Sequence, residues 1–192
     1  MEKKHQHSLT SSLAAFDHNG WQVNLIDTPG YPDFIGSAFS VLPAVETVAI
    51  VINAQRGIES TARRMLEWAR DQNQCRMVII NRIDAEEVDL EAVYEQVRSG
   101  FGRECLAVNL PAAGGTAVAD CFFSPTGESD FSSVEEAHTA IVDQTVEVDE
   151  ELMSLYLEDG EISPEQLHDP FEKALREGHL IPVCFTLSLI HI

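Results

Sequence analysis

The sequence predicts an α/β fold with a mostly parallel sheet and an inserted α/β subdomain. Three observations predict it. A β-branched run at Thr47–Ile52 and strand-like runs at Arg76–Ile80 and Cys105–Leu110 alternate with stretches of helical period. Strands and helices in that order form parallel sheets joined by right-handed crossovers. Two polar loops, Asp27-Thr28-Pro29-Gly30 and Asn81-Arg82-Ile83-Asp84, begin where two strand-like runs end. Parallel sheets bind ligands beyond the carboxyl ends of their strands, so period and motifs agree. Finally, 192 residues with 44% hydrophobic content suffice for one domain core with an inserted subdomain.

Leu9–Phe16 and Trp21–Ile26 flank Asp17-His18-Asn19-Gly20. Asn-Gly tolerates positive φ at both central turn positions, which predicts an antiparallel hairpin delivering Asp27 at its end. The proline-bounded stretch Pro32–Leu42 reads as helical, and Thr47–Ile52 as a buried strand. Glu59–Gln72 is a helix with Ala62, Met65, Leu66 and Ala69 on one stripe, closed by Asn73 as a left-handed cap. Arg76–Ile80 then delivers Asn81. Asp89–Phe101 is a helix carrying Leu90, Val93, Tyr94 and Val97, and Cys105–Leu110 a further strand.

From Pro111 the pattern changes. Gly114-Gly115 punctuates a loop, Thr116–Phe123 reads as a strand, and Ser124-Pro125-Thr126-Gly127 as a turn. Ser133 with Glu136 forms a capping box that opens one long helix, striped by Val134, Ala137, Ile141, Val148, Leu152 and Leu155. Ser163-Pro164 with Gln166 opens another, striped by Leu167, Phe171, Ala174 and Leu175. Leu180–Phe185 is the last strand. The expected organisation is a main domain over residues 1–110, an inserted subdomain over 111–178, a return strand over 179–186 and a tail over 187–192.

Charge narrows the partners. Of the chain's net −20, the segment from Glu128 to Glu177 carries −14, sixteen acids against Lys173 and Arg176. That segment repels phosphate backbones, which argues against direct nucleic-acid binding through it. It reads as a solvated helical face or as a docking surface for a basic protein. Cys75, Cys105, Cys121 and Cys184 form no Cys-x-x-Cys pair, the pattern of reduced thiols in a cytosolic protein. No apolar stretch approaches a membrane span, and Met1 begins a polar run, so a cytoplasmic location without membrane contact is expected. His5 and His7 have no recognisable third ligand nearby and read as exposed histidines.

The two loops carry the chemistry. In Asp27-Thr28-Pro29-Gly30, a carboxylate at a strand end can hold a magnesium-bound water, and a glycine amide can approach a terminal phosphate with no Cβ in the way. In Asn81-Arg82-Ile83-Asp84, the Asp84 carboxylate can accept both donors on a guanine edge, N1–H and the exocyclic amine, a pair that adenine does not offer. Asn81 can tether neighbouring loops. Each loop alone is also an ordinary turn or helix-capping segment. Together, 54 residues apart and each after a strand-like run, they point to a nucleotide. No Gly-x-x-x-x-Gly-Lys-Ser/Thr phosphate cradle occurs in the chain.

Here the chain resembles the GTP-binding domain of translational GTPases, most closely elongation factor G and its paralogues. Asp27 to Asp84 runs without gaps against the family pattern, with Asp33-Phe34, Gly57 and Ala69 in place. Glu151-Leu152-Met153-x-x-Tyr156-Leu157-Glu158 is similar to a helix of the family's inserted subdomain, Ile181-Pro182-Val183 to its closing strand, and Glu2 to Ser12 to the end of its first switch. The resemblance implies a P-loop GTPase-type sheet that lacks its first strand and phosphate loop in these residues. It implies that Asp27 and Ser8 serve Mg2+, Ser8 at the switch threonine although Gln6-His7 replace Gly-Ile. It places Gly30 at the γ-phosphate, Thr28 and Pro29 in the same nucleotide motif, and Asn81, Arg82, Ile83 and Asp84 at guanine. Arg82 stands where lysine is usual, and its planar guanidinium can stack over a base. Tyr31 replaces the histidine that positions attacking water. A phenol, titrating near pH ~10, is a poor base but can hydrogen-bond a water, so slow or altered hydrolysis is expected.

The resemblance further expects a strand, phosphate loop and first switch before Glu2, and a Ser-Ala loop after Phe185-Thr186. Leu187–Ile192 interrupts the pattern with an apolar tail similar to a translated sequencing adaptor, so both ends are expected to be artificial and the chain a fragment. The implied parent is a ribosome-associated, elongation factor G-like GTPase that binds GTP and Mg2+ and hydrolyses GTP during translocation, its acidic insert facing the ribosomal stalk protein. The fragment alone is expected to bind GTP weakly and to be inactive, because a phosphate loop's amides and lysine supply most phosphate affinity. Three alternatives stay open: a GTP-gated ribosome-binding paralogue with weak or no hydrolysis, a release-factor recycling or ribosome-protection type, and a generic α/β domain whose motifs are coincidental turns.

Overall fold

The structure, a computed structural model, describes residues 8–159 and 162–187. The chain divides into two compact units, Met1–Glu46 and Thr47–Ile192. His5, His7 and the Leu187–Ile192 tail lie outside the described residues, apart from Leu187 itself.

In the first unit, β1 (Ser12–His18) and β2 (Trp21–Asp27) pair antiparallel, from Ser12 opposite Asp27 to His18 opposite Trp21. Asn19 and Gly20 make the two-residue turn with φ of 50° and 83°, the left-handed pair that the Asn-Gly signal requires. β1 starts at Ser12 rather than Leu9 because pairing ends where β2 ends. The expected helix Pro32–Leu42 is divided into a 3₁₀ turn (Pro32–Phe34), a short helix α1 (Ile35–Val41) and a second 3₁₀ turn (Leu42–Ala44). Phe34, at φ −108° and ψ 8°, interrupts the helical run, and Pro43 lies in the first turn of the final 3₁₀ segment.

The second unit is built on four parallel strands in the order β3 (Thr47–Asn53), β4 (Cys75–Asn81), β8 (Ile181–Thr186), β5 (Cys105–Ala107). α2 (Ser60–Asp71) connects β3 to β4, and α3 (Leu90–Phe101) connects β4 to β5. Asn73 closes the first connection in the left-handed region at φ 53°, and Asp89 caps the second by accepting from the Ala92 amide at 2.9 Å. Val78, Ile80, Val183 and Phe185 form the dry centre, where each side chain contributes roughly 1.5–3 kcal/mol by burial. β3 corrects an expectation: it is an edge strand with Val48, Ile50 and Ile52 buried and Val51 60% exposed, so only one face is covered.

The Cys105–Leu110 run is also not one strand. It breaks at Val108, whose amide bonds Val183 O while its carbonyl takes the Cys121 amide. The chain then leaves the sheet as a hairpin of β6 (Asn109–Ala112) and β7 (Ala117–Asp120). The expected single long helix after Ser133 is two, α4 (Val134–Val146) and α5 (Glu150–Asp159). Asp149 breaks it, its carboxylate taking the Glu151 and Leu152 amides at 3.0 Å as a new N-cap. At Ser133 the hydroxyl accepts from Glu136 N, whereas both halves of a capping box form at Ser163 and Gln166 on α6 (Pro164–Glu177). Val142, Val146, Leu152 and Leu167 pack these three helices together. Tyr94, Phe131 and Phe185 stack with centroids 5.9–6.1 Å apart, tying α3 and the insert to β8.

Candidate functional site

Both motifs sit at strand ends. Asp27 is the last residue of β2 and is exposed. Ser8 Oγ lies 3.5 Å from Asp27 Oδ2, so the hairpin pairing brings together the two oxygens expected to serve a metal. Pro29 is buried and fixes the loop, while a Cβ placed on Gly30 would meet nothing within 4 Å. Gly30 is exposed, so the backbone there is crowded by no neighbouring side chain. Tyr31 is 52% exposed at the start of the 3₁₀ turn, its carbonyl accepting the Phe34 amide at 3.0 Å.

The oxygen donors suit a hard cation. Among the described residues no group of three His, Cys, Asp or Glu side chains is arranged to hold a metal. Magnesium commonly takes one or two protein oxygens and completes its shell with water and phosphate, so Ser8 and Asp27 fit that ion rather than a caged one.

The second motif is held more firmly. Asn81 ends β4, and its Oδ1 accepts the Arg82 amide at 2.8 Å and the Thr186 hydroxyl at 3.2 Å. Its carbonyl accepts the Ala54 amide at 3.0 Å, and the Ile83 amide donates to Thr186 O at 3.3 Å. One side chain and its own backbone therefore tie the loop to the ends of β3 and β8. Ile83, 2% exposed, anchors it from below. Arg82 takes φ +65°, a left-handed conformation that costs a non-glycine residue on the order of 1–2 kcal/mol and directs its side chain outward. Asp84 is exposed and lines a concavity of about 800 Å³ with Gly114, Asp130 and Phe131. An exposed carboxylate on a pinned peptide is suited to accepting two parallel donors.

Sequence reading missed three contributors. Thr186 was legible only as the residue after a strand. Asn109 substitutes for a strand edge: its Nδ2 donates to Phe185 O at 3.1 Å and its Oδ1 accepts Phe185 N at 2.7 Å. Gly115 is pressed against the Ile83 carbonyl, which the Gly-Gly pair signalled only as a turn. Burial pushes the Cys105 thiol up to about 12 and, with Asp120 beside it, the Cys121 thiol up to about 11, so both remain protonated. They have no place in this chemistry. No described helix is long and apolar enough to cross a membrane.

Comparison with known proteins bears on the family and the fold. The family profile of the elongation factor Tu GTP binding domain matches residues 1–189. An elongation factor G-like protein of Thermotoga maritima is 28% identical over 195 residues, 95% of this chain and 29% of the relative. One of Mycobacterium tuberculosis is 28% identical over 212 residues, all of this chain and 30% of the relative. A crystal structure from Thermus thermophilus superposes with a TM-score of 0.83 at 27% identity, covering 97% of this chain and 30% of that one. The chain thus spans about 30% of the length of these relatives.

Proposed function

We propose, from the premise that this chain belongs to the elongation factor Tu GTP-binding domain family, that it is the nucleotide-binding part of an elongation factor G-like translational GTPase. The observation that carries the reading is the Asn81–Asp84 loop, tethered to two neighbouring strand ends with its last carboxylate exposed. Asp84 accepts N1–H and the exocyclic amine of guanine, Asn81 and Ile83 hold the peptide, and Arg82 covers the base. Asp27 and Ser8 hold Mg2+ directly or through water, and the Thr28–Gly30 backbone receives the terminal phosphate. The ion supplies charge neutralisation at the phosphates when bound.

The test is nucleotide affinity in the full-length protein. Wild type should bind GDP at least a hundredfold tighter than ADP, and Asp84→Ala should erase that preference, because a reading group left without its partner forfeits discrimination of this order, about 10⁴-fold at the upper end. Equal affinities for GDP and ADP in the wild type would refute the reading.

The family's activity is GTP hydrolysis, and we place Tyr31 beside the attacking water. A phenol orients water without taking its proton, so turnover in the intact protein is expected to be slow and to rise on Tyr31→His. If ribosome-stimulated turnover is the same in both, Tyr31 does not limit the step. The same residue supports the rival reading of a GTP-gated ribosome-binding module, which single-turnover hydrolysis with ribosomes would separate.

The insert, residues 111–178, is proposed to face the ribosomal stalk. Its support is the −14 segment together with exposed Phe123 and Leu157, 83% and 77% accessible, which suits a basic partner with apolar contacts. Stalk binding that does not weaken with salt would count against it.

A further inference from the structure

We infer that Asp130, in the inserted subdomain, is a positioning residue for the base-reading loop, acting through Gly114 and Gly115 on the Ile83–Asp84 peptide. The inference rests on the guanine reading of Asp84. The loop between β6 and β7 holds three consecutive residues in the left-handed region, Ala113, Gly114 and Gly115, at φ of 54°, 68° and 76°. Such a run presents successive amides to one side, and a carboxylate is the natural partner for that concavity. Asp130 fills it: Oδ1 accepts the Gly114 amide and Oδ2 the Gly115 amide, both at 2.8 Å. Its own amide donates to Pro111 O at 2.8 Å, and Thr116 Oγ1 closes the turn on Ala113 O at 2.8 Å.

The clamp has a target. A Cβ on Gly115 would lie 2.3 Å from Ile83 O, 3.1 Å from Ile83 C and 3.7 Å from Asp84 N. Gly115 is therefore in backbone-to-backbone contact with the peptide that carries Asp84. That peptide is fixed from the other directions by the buried Ile83 side chain and by the Ile83 amide on Thr186 O. Gly115 blocks the remaining tilt, and Asp130 holds Gly115 in place. Asp84 and Asp130 also face the same concavity of about 800 Å³. A misplacement of about 1 Å at a reading group costs on the order of a hundredfold, so a support of this kind bears directly on base choice.

Two measurements test it. Hydrogen exchange on this chain reads the clamp without nucleotide. Asp130→Ala should speed exchange at the Ile83, Asp84 and Ala85 amides about tenfold while leaving β4 and β8 unchanged, and Asp130→Asn, which keeps one acceptor, should fall between. Unchanged exchange at those three amides overturns the proposal. In the full-length protein, the ratio of IDP to GDP dissociation constants reads recognition of the exocyclic amine alone, which general destabilisation does not move. The ratio should fall about tenfold in Asp130→Ala and collapse in Asp84→Ala. A ratio lost in Asp84→Ala but intact in Asp130→Ala overturns the positioning role while the guanine reading stands. A ratio that Asp84→Ala leaves intact refutes the guanine reading, and this role of Asp130 with it.

Discussion

Replacing Asn109 by alanine should unfasten the return strand β8 where it matters most. β5 pairs with β8 only from Ile181 to Val183, so among the described residues no strand continues that side of the ladder beyond Val183. The Asn109 amide continues the ladder, giving one hydrogen bond to Phe185 O at 3.1 Å and taking one from Phe185 N at 2.7 Å. Phe185 is 1% exposed, so truncation leaves a backbone donor and acceptor without partners in a nearly dry place. With a net loss near 1 kcal/mol per bond and an added desolvation cost for orphaned groups, the change should cost about 2–4 kcal/mol. For a chain of this size that corresponds to a fall of about 4–16 °C in Tm. Urea denaturation followed by far-ultraviolet circular dichroism measures it directly. Asn109→Asp makes a sharper control, because its carboxylate still accepts the Phe185 amide but opposes the Phe185 carbonyl. It should be as damaging as alanine at pH 7 and milder below pH ~4, where the carboxyl regains a proton to donate. A loss below about 0.5 kcal/mol for Asn109→Ala, the scale of an ordinary surface change, would refute this account of the strand edge.

Two further predictions follow from buried groups. Gly178, at φ +75° after α6, would put a Cβ 2.1 Å from Nη2 of Arg76, which is 9% exposed. Gly178→Ala should cost roughly 1–3 kcal/mol, and an Arg76→Met background should remove the clash but not the conformational cost, a coupling that a double-mutant cycle in urea reads. Cys105 and Cys121 are raised from about 9 to about 12 and about 11 by burial. The folded chain keeps these protons at a pH where the unfolded chain loses them, so the stabilisation is complete below pH 9 and is lost as pH rises through 11 to 12. Urea midpoints should fall between pH 8.5 and 10.5, and less steeply in Cys105→Ala; equal slopes would exclude Cys105 from the effect.

Much of the parallel sheet was legible because its signals are local. Asn19-Gly20 announced its turn through backbone conformation alone, and the runs at Thr47–Ile52, Arg76–Ile80 and Leu180–Phe185 announced strands by their largely apolar character. What failed was decided by tertiary competition. The stripe from Val134 to Leu155 has helical period throughout, yet Asp149 captures two amides and starts a new helix. The Cys105–Leu110 run is apolar apart from Asn109, yet at Val108 the chain bonds both β8 and Cys121 and turns out of the sheet. That the two loops begin at strand ends was legible from residue type and spacing. Their supports were not: Thr186, Asn109 and Asp130 act across 105, 76 and 15–16 residues, and no local pattern marks such contacts.

The central claim is that Asp84 reads the edge of a guanine, and changing that edge tests it most directly. Asparagine at this position presents one acceptor and one donor in place of two acceptors. Xanthine keeps N1–H but replaces the exocyclic amine by a carbonyl, which matches that new pair. In the full-length protein, Asp84→Asn should therefore weaken GDP by about a hundredfold or more and strengthen XDP by a similar factor, read by competition against a fluorescent nucleotide. Retention of GDP affinity with no gain for XDP would contradict the claim.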